Sequence, residues 1–361
     1  MNGLRQIGPF SNPASADADL SPRYVGCWLA PKFYNPAGTL TYHLLTVANG
    51  AGITSNAWTG VGSPAGGSAS WLTAGTLVRV RNNGGTIPTG LSVSTAYYAG
   101  RPDSDKVSLH TTQADALADT NRVAFSGGTS NTDIYAAEWL DVSGQGNHLT
   151  IGPNNNNLSF YGTAGYGSAS SSGSVDTAAG VLTLSAAITA RLAWPANSWM
   201  FAARVIRGTA SPGRSFWGCG ISGSVDGPRL NINSSNTDKI DVQLFHSGGT
   251  VLSLGTSASS PLSSATGSHI ALAVDGPARR GYLYVNGVPD LTVFDKDLST
   301  AGAITWPAAL RIGGATAANA QASNWRECHL MAFAGSLPGN IGDVVARLAD
   351  SRFHRVLEKE C

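Results

Sequence analysis

The stretch from His269 to Phe294 leaves few choices of fold. Ile270, Leu272 and Val274 alternate with His269, Ala271 and Ala273, so a strand here has one apolar face and one small or polar face. Asp275-Gly276-Pro277 breaks it. Tyr282 to Val285 gives the next strand, with Leu283 and Val285 facing in and Tyr282 and Tyr284 facing out. Asn286-Gly287 supplies two adjacent residues that tolerate positive φ, the strongest short-range signal for a two-residue hairpin. Val288 to Phe294 then runs back. A three-strand meander of this kind does not stand alone. Its Ile/Leu/Val face needs a cover, and most of the chain reads as that cover.

At 361 residues the chain has room for two or three domains, or for one large all-β domain with an insertion. Only 12% of residues are charged, about half the usual fraction, while glycine reaches 44. With a net charge of +1, nothing here implies a nucleic-acid groove or an acidic substrate. Arginine outnumbers lysine, and its planar, weakly hydrated fork suits interfaces. A weakly charged surface of small residues fits a protein packed in an assembly. No basic region followed by an apolar run and a small-residue cleavage site opens the sequence, and no run of 18 apolar residues spans a membrane. The expectation is synthesis in a cytoplasm, without membrane insertion. Cys27, Cys219, Cys328 and Cys361 are widely spaced with no CxxC pair, which reads as free, mostly buried thiols.

Residues 1–22 are polar and broken by Pro9, Pro13 and Pro22, an N-terminal arm without its own core. Tyr24 to Leu29 is the first strand. Leu40 to Val47 reads as another, and Ala48 to Ser70 as a Gly/Ser/Ala loop carrying Trp58. Strands follow at Thr76–Arg81, Ala96–Ala99, Lys106–His110 and Arg122–Phe125, with at most two helical turns at Thr112–Leu117. The order strand, Gly turn, Pro-x-Gly-Leu (Pro88 to Leu91), Thr-Ala-Tyr-Tyr (Thr95 to Tyr98), strand, Gln-Ala-Asp-Ala (Gln113 to Ala116), strand resembles a small β module that recurs in phage tail and virion proteins.

From Glu138 the register changes. Asp141-Val-Ser-Gly-Gln-Gly-Asn-His148 is a dense turn sequence leading into a strand. Strand candidates then recur at 181–184, 198–205, 215–221, 229–232, 239–246, 251–254, the opening meander, 309–314 and 325–334, with Gly, Ser, Asn and Pro between them. Many short strands at this spacing predict a β-sandwich. Asn340 with Asp343 resembles a capping pair for a helix over 341–357, whose Ile341, Val344, Val345 and Leu348 form one apolar stripe. The Asp-x-Ser-Gly-x-Gly-Asn-His string, His269-Ile-Ala-Leu, Leu283-Tyr-Val-Asn-Gly and Leu310-Arg-Ile-Gly-Gly resemble, in this order, the laminin-G-like (concanavalin A-like) jelly roll. The resemblance implies an all-β sandwich over 23–39 and 137–361, with a β-rich module inserted at 40–136 and a C-terminal helix.

A concanavalin-type fold hosts glucanases, which need two carboxylates across a cleft. The Glu residues, Glu138, Glu327, Glu358 and Glu360, offer no pair two or four apart on a strand. Asp295 and Asp297 share a face at the end of a hairpin, where turn carboxylates are common. No enzyme and no catalytic residue is expected. The histidines do not cluster at metal-ligand spacing. The laminin-G-like resemblance implies one calcium ion at the sheet rim, with Asp141, Asn147 and Asp226 as hard oxygen ligands, and Asp141 and Asn147 also read simply as turn-formers. Trp217, Arg229, Tyr282, Tyr284 and Trp325 are the carbohydrate-binding candidates, since exposed aromatic rings stack on sugars. A sandwich core would use Trp217 and Trp325 equally well.

The pairing of this jelly roll with a phage-type module resembles bacteriophage virion proteins. It implies a structural or adhesive role on a tail (fibre, spike or baseplate periphery) or as capsid decoration, localised to the virion. Its partners would be other virion subunits, copies of itself as a homo-oligomer, and a bacterial surface glycan. The alternatives are a polysaccharide-degrading glycoside hydrolase and a free-standing lectin.

Overall fold

The computed structural model describes residues 23–29, 43–47, 52–59, 74–83, 86–103, 105–127, 131–139, 141, 143–150, 180–207, 215–263, 268–312 and 323–350. The chain divides into two compact units: Met1–Tyr34, Trp139–Thr150 and Ser159–Cys361 form one, and Asn35–Glu138 with Ile151–Leu158 the other. The N-terminal arm expected at 1–22 lies outside the described residues, as do Cys361 and the part of the expected 341–357 helix that follows residue 350.

In chain order, β1 (Tyr24–Leu29) precedes the second unit, which contains β2 (His43–Val47), β3 (Gly52–Thr54), β4 (Ala57–Thr59), β5 (Leu77–Asn83), β6 (Tyr97–Gly100), β7 (Val107–His110), α1 (Gln113–Ala118) and β8 (Asn131–Ala136). Then come β9 (Glu138–Trp139), β10 (Leu149–Thr150), β11 (Gly180–Thr183), α2 (Ala186–Arg191), β12 (Ser198–Arg207), β13 (Ser215–Gly218), β14 (Gly227–Ile232), β15 (Ile240–His246) and β16 (Thr250–Thr256). The remainder is β17 (Ser268–Asp275), β18 (Arg280–Val285), β19 (Val288–Pro289), β20 (Lys296–Asp297), β21 (Ala309–Ile312), β22 (Ser323–Phe333) and α3 (Ile341–Ala349). No described helix is long and apolar enough to cross a membrane.

The large unit is an all-β sandwich of jelly-roll type. One sheet has seven strands, ordered β1-β22-β12-β17-β18-β19, with β20 also paired to β18. The other has eight, ordered β16-β15-β14-β13-β21-β11-β10-β9. The meander sits in the seven-stranded sheet. Ile270, Leu272 and Val274 share a row with Val285, Leu283 and Gly281 on β18, and with Ala203, Phe201 and Trp199 on β12. That face meets the second sheet, where the Trp217 ring stacks on Phe201 at 3.8 Å between centroids. Trp199 and Trp217 follow at 6.2 Å, and Trp199 meets Trp306 edge-on at 5.9 Å. Truncating a buried Trp or Phe of this kind costs about 3–5 kcal/mol.

The other face of the meander is covered as well. Arg204 donates to the carbonyl of Ala349 at the end of α3, and Val344, Val345 and Leu348 of that helix are buried. A Cβ at Gly287 would stand 3.1 Å from the Ala346 Cα, so the hairpin turn packs directly under the helix. Asn286 and Gly287 take φ of 53° and 79°, the two left-handed positions their sequence offered. Three details differ from the sequence pattern. The third meander strand stops at Pro289, because Asp290 turns the backbone by accepting from Thr292 N and Val293 N. The helix start has no side-chain cap from Asn340. An unforeseen helix, α2, begins at Ser185, whose hydroxyl accepts from Ile188 N.

The inserted unit is one seven-stranded sheet, ordered β2-β8-β5-β6-β7-β4-β3. Val78, Val80, Tyr97, Val107, Leu109 and Ile134 form its core with Trp58 and Phe125, whose rings lie 4.4 Å apart. Part of the stretch read as a loop at 48–70 is the β3–β4 hairpin, turned by Ser55 and Asn56 at φ of 52° and 57°. Residues 122–125 form no strand; Arg122 and Ser126 make isolated bridges instead.

Candidate functional site

The face of the eight-stranded sheet turned away from the sandwich core carries two polar rows. Leu230, Ile232, Ile240, Val242 and Leu244 are buried, so alternation sends Arg229, Asn231, Asp241 and Gln243 to the opposite side. Register places Ser253, Gln243, Arg229, Gly218 and Arg311 side by side across five strands. The next row runs Thr256, Asp241, Asn231 and Ser215. Five strands at the usual spacing make a surface about 19 Å long. Gly218 leaves a gap between the two arginines. It holds φ of 132°, and a Cβ there would lie 2.2 Å from the Pro228 carbonyl oxygen, so the gap is enforced.

Hydrogen bonds lock this surface. Gln243 Oε1 accepts from Arg229 Nη2 at 2.8 Å, from Arg229 Nε at 3.3 Å and from Asn231 Nδ2 at 3.1 Å. Arg229 Nη1 donates to the Gly220 carbonyl at 3.4 Å, and the guanidinium lies 4.6 Å over the Phe245 ring. Burial pulls the Arg229 guanidinium below its ordinary value, yet it stays charged. Because Gln243 must present oxygen to Arg229, Asn231 must present its nitrogen to Gln243, which turns its carbonyl away. Asn231 is 7% exposed, and Oδ1 has no hydrogen-bond partner among the described residues. Gln243 Nε2 remains as a donor beside it. Asp241 completes the second row, holding Asn233 Nδ2 at 2.8 Å and Thr256 Oγ1 at 2.6 Å. Together these groups form a fixed, mostly neutral array of donors and acceptors.

Of the aromatic candidates, Trp217 has no ring face for a sugar: it is 1% exposed and packs on Phe201. Tyr284 is 4% exposed rather than outward-facing, and burial raises its hydroxyl above the ordinary value. Its ring and that of Tyr282 both contact Phe294 edge-on, at 5.5 and 5.2 Å. The strand alternates as its sequence does, but the second face of the sheet is covered too. Tyr282 is half-buried. Trp325 lies on β22 opposite Val205, and its side chain is outside the described residues. Of these five candidates, Arg229 alone belongs to the polar rows.

The three calcium candidates do not converge. Asp141 Oδ1 accepts from Cys27 N at 2.9 Å, Ser143 N at 2.9 Å and Ser143 Oγ at 2.6 Å, while Oδ2 accepts from Asn147 N at 3.0 Å. Asn147 Nδ2 donates to the Val25 carbonyl at 2.6 Å, and Trp28 Nε1 donates to the Asn147 carbonyl. This turn therefore fastens β1 to the chain more than a hundred residues on. Asp226 serves a separate loop, accepting from Gly248 N, Gly249 N and Thr305 N, each at 2.8 Å. Among the described residues no three His, Cys, Asp or Glu side chains group to hold a metal.

One cluster was not legible in the sequence. In the inserted unit Ser108 Oγ lies 2.8 Å from His110 Nε2 and donates to Asp119 Oδ1 at 3.1 Å, while His110 Nδ1 donates to the Thr120 carbonyl at 2.7 Å. Ser108 and His110 are both 0% exposed, and Gly100 is packed against them. Arg122 holds Asp119 from the other side through Nε at 2.9 Å and through Nη2. The burial gives substrate no path to the serine, so the cluster ties the end of α1 to the sheet.

No family model matches the sequence, and no curated protein matches it. Among solved structures the chain is similar to a Trypanosoma rangeli sialidase in complex with 2,3-difluorosialic acid, at 13% identity and TM-score 0.38, covering 60% of this chain and 31% of that one. It is also similar to the CBM40 of the Ruminococcus gnavus IT-sialidase (15%, TM-score 0.32, covering 44% and 86%). A third is the binding domain of botulinum neurotoxin DC in complex with rat synaptotagmin II (10%, TM-score 0.32, covering 48% and 40%). The chain thus spans under a third of the sialidase.

Proposed function

We propose that this protein is a non-catalytic virion component of a bacteriophage that binds bacterial surface glycan through the outer face of its eight-stranded sheet. The observation that carries the glycan reading is the locked Arg229–Gln243–Asn231 array, with Gln243 Nε2 left over as a donor and Asn231 Oδ1 buried beside it. Sugar hydroxyls both donate and accept, so amides of fixed polarity held around one guanidinium suit them. A site built on strands of a packed sandwich is pre-organised, which lowers the entropy cost of a weak contact. Display in many copies, as a homo-oligomer on a tail or capsid, multiplies such contacts. The virion setting rests on the sequence resemblance of module and jelly roll and on the 12% charged composition.

The non-catalytic reading rests on the carboxylates. The two Glu residues on described strands, Glu138 and Glu327, sit on separate strands, and Asp141, Asp226 and Asp290 are consumed by backbone amides. A bacterial glycan array probed with the wild type and with Gln243→Ala tests the proposal. Binding that the substitution abolishes supports it, and an array without a hit overturns it. New reducing ends on incubation with host capsule would move the protein to the glycoside hydrolases.

A further inference from the structure

Arg311 shares the outer face of the eight-stranded sheet with the polar rows, yet stands apart from the hydrogen bonds that lock them. Leu310 beside it on β21 is 3% exposed in the core, so alternation turns Arg311 outward. Register sets it across Gly218 from Arg229, and two strand spacings put their Cα atoms about 10 Å apart. Gly218 adds no side chain between them, and a Cβ there is forbidden by the Pro228 carbonyl. Arg311 has no hydrogen-bond or ion-pair partner among the described residues. Its side chain is half-buried and none of its nitrogens is sealed off, so a ligand reaches them from solvent.

No described carboxylate pairs with either arginine. Arg229 is held by neutral groups, the Gln243 side chain and the Gly220 carbonyl. Asp241, the carboxylate of the two rows, is taken by Asn233 and Thr256 and lies three strand spacings, about 14 Å, from Arg311. The Arg229 guanidinium is fixed by its bonds, whereas that of Arg311 has its whole planar fork to offer, and this fork matches the two oxygens of a carboxylate. We infer that the glycan of this face is acidic, and that Arg311 selects it by binding the carboxylate of a uronic acid unit. Gln243 Nε2, further along the same row, donates to a hydroxyl of another unit of that saccharide. The saccharide rests on the glycan reading of this same face; its acidity rests on Arg311 and the gap at Gly218.

The test titrates the full chain with an oligomer of glucuronic acid and with an oligomer of glucose of equal length and linkage. The acidic oligomer is expected to bind more tightly, and its affinity to fall as salt rises while that of the glucose oligomer holds. Arg311→Gln is expected to weaken the acidic oligomer roughly tenfold or more and to leave the glucose oligomer unchanged, with Arg311→Lys in between. The side chain has no partner to lose, so Arg311→Gln is expected to melt with the wild type, which separates a lost contact from a damaged fold. Equal binding of the two oligomers to the wild type, or equal binding of the acidic one to Arg311→Gln, overturns the inference. If neutral glycans bind and Gln243→Ala loses them while Arg311→Gln does not, the glycan reading stands and the acidic selection falls. If Arg311→Gln loses the acidic oligomer while Gln243→Ala keeps it in full, the carboxylate contact stands and the role given to the amide array falls. If neither oligomer and no glycan on the array binds, both fall.

Discussion

Asn231 donates its Nδ2 to Gln243 Oε1 at 3.1 Å, and that one bond decides where the Asn231 carbonyl faces. Replacing Gln243 separates structure from binding. Gln243→Glu keeps an acceptor for Arg229 and Asn231 but removes the Nε2 donor. It is expected to melt at or above the wild type while losing glycan affinity. Gln243→Ala leaves the Arg229 Nε and Nη2 without their side-chain acceptor and is expected to cost about 1–3 kcal/mol of stability as well. Thermal melts beside glycan titrations of the two variants check both halves.

Asp290 makes the sandwich sensitive to acid. It is 3% exposed; burial alone would raise its carboxyl, but amides of Ala258, Ser259 and Val293 and the Ser259 hydroxyl outweigh that and hold it below its ordinary value of 3.8. A carboxyl lowered on folding contributes stability that is whole above the unfolded value. It fades as pH falls through that value and on through the folded one. Melting temperature should therefore be level near neutrality and drop in acid. Asp290→Asn should lie below the wild type at neutral pH and converge on it as pH falls past 3.8.

The inserted unit has a tight point at Gly100. A Cβ there would lie 2.3 Å from Ser108 Oγ and 2.5 Å from His110 Nε2, both buried. Relief requires breaking the hydroxyl–imidazole bond or shifting the strand. Gly100→Ala is expected to destabilise this unit by roughly 1–3 kcal/mol. Hydrogen exchange read by mass spectrometry should accelerate over β6, β7 and α1, with the protection of β12 and β17 unchanged.

What could be read without coordinates divides by physical cause. Alternation and turn chemistry are local, so the strands from β12 to β18 and the Asn286-Gly287 turn were plain. The apolar face of the meander was legible for the same reason. What lies against the second face is not local: Tyr284 alternates as an outward residue but is covered, and nothing near it in sequence says so. Trp217 likewise reads as core or as a sugar platform until Phe201 is found beneath it. The β3–β4 hairpin escaped because its Ser55-Asn56 turn lacks glycine and its three-residue strands are too short to show a period. The polar rows escaped too, since Arg229, Gln243 and Asn231 meet only through strand pairing.

Asp141 offers the last discrimination, between a metal ligand and a structural turn. Four donors already converge on its two oxygens, from Cys27, Ser143 and Asn147. The Asp141 amide also donates to His148 Nδ1 at 2.9 Å, which requires that nitrogen to be unprotonated. A carboxylate so occupied has its charge balanced by N–H and O–H dipoles, and a cation would have to displace them. Asp141→Ala strands those donors, and the turn that fastens β1 beside the 141–148 segment comes loose. The substitution is expected to lower stability by roughly 2–4 kcal/mol. Adding calcium or EDTA to the wild type should leave its melting temperature unchanged. A calcium-dependent rise that Asp141→Ala removes would instead make this turn a metal site.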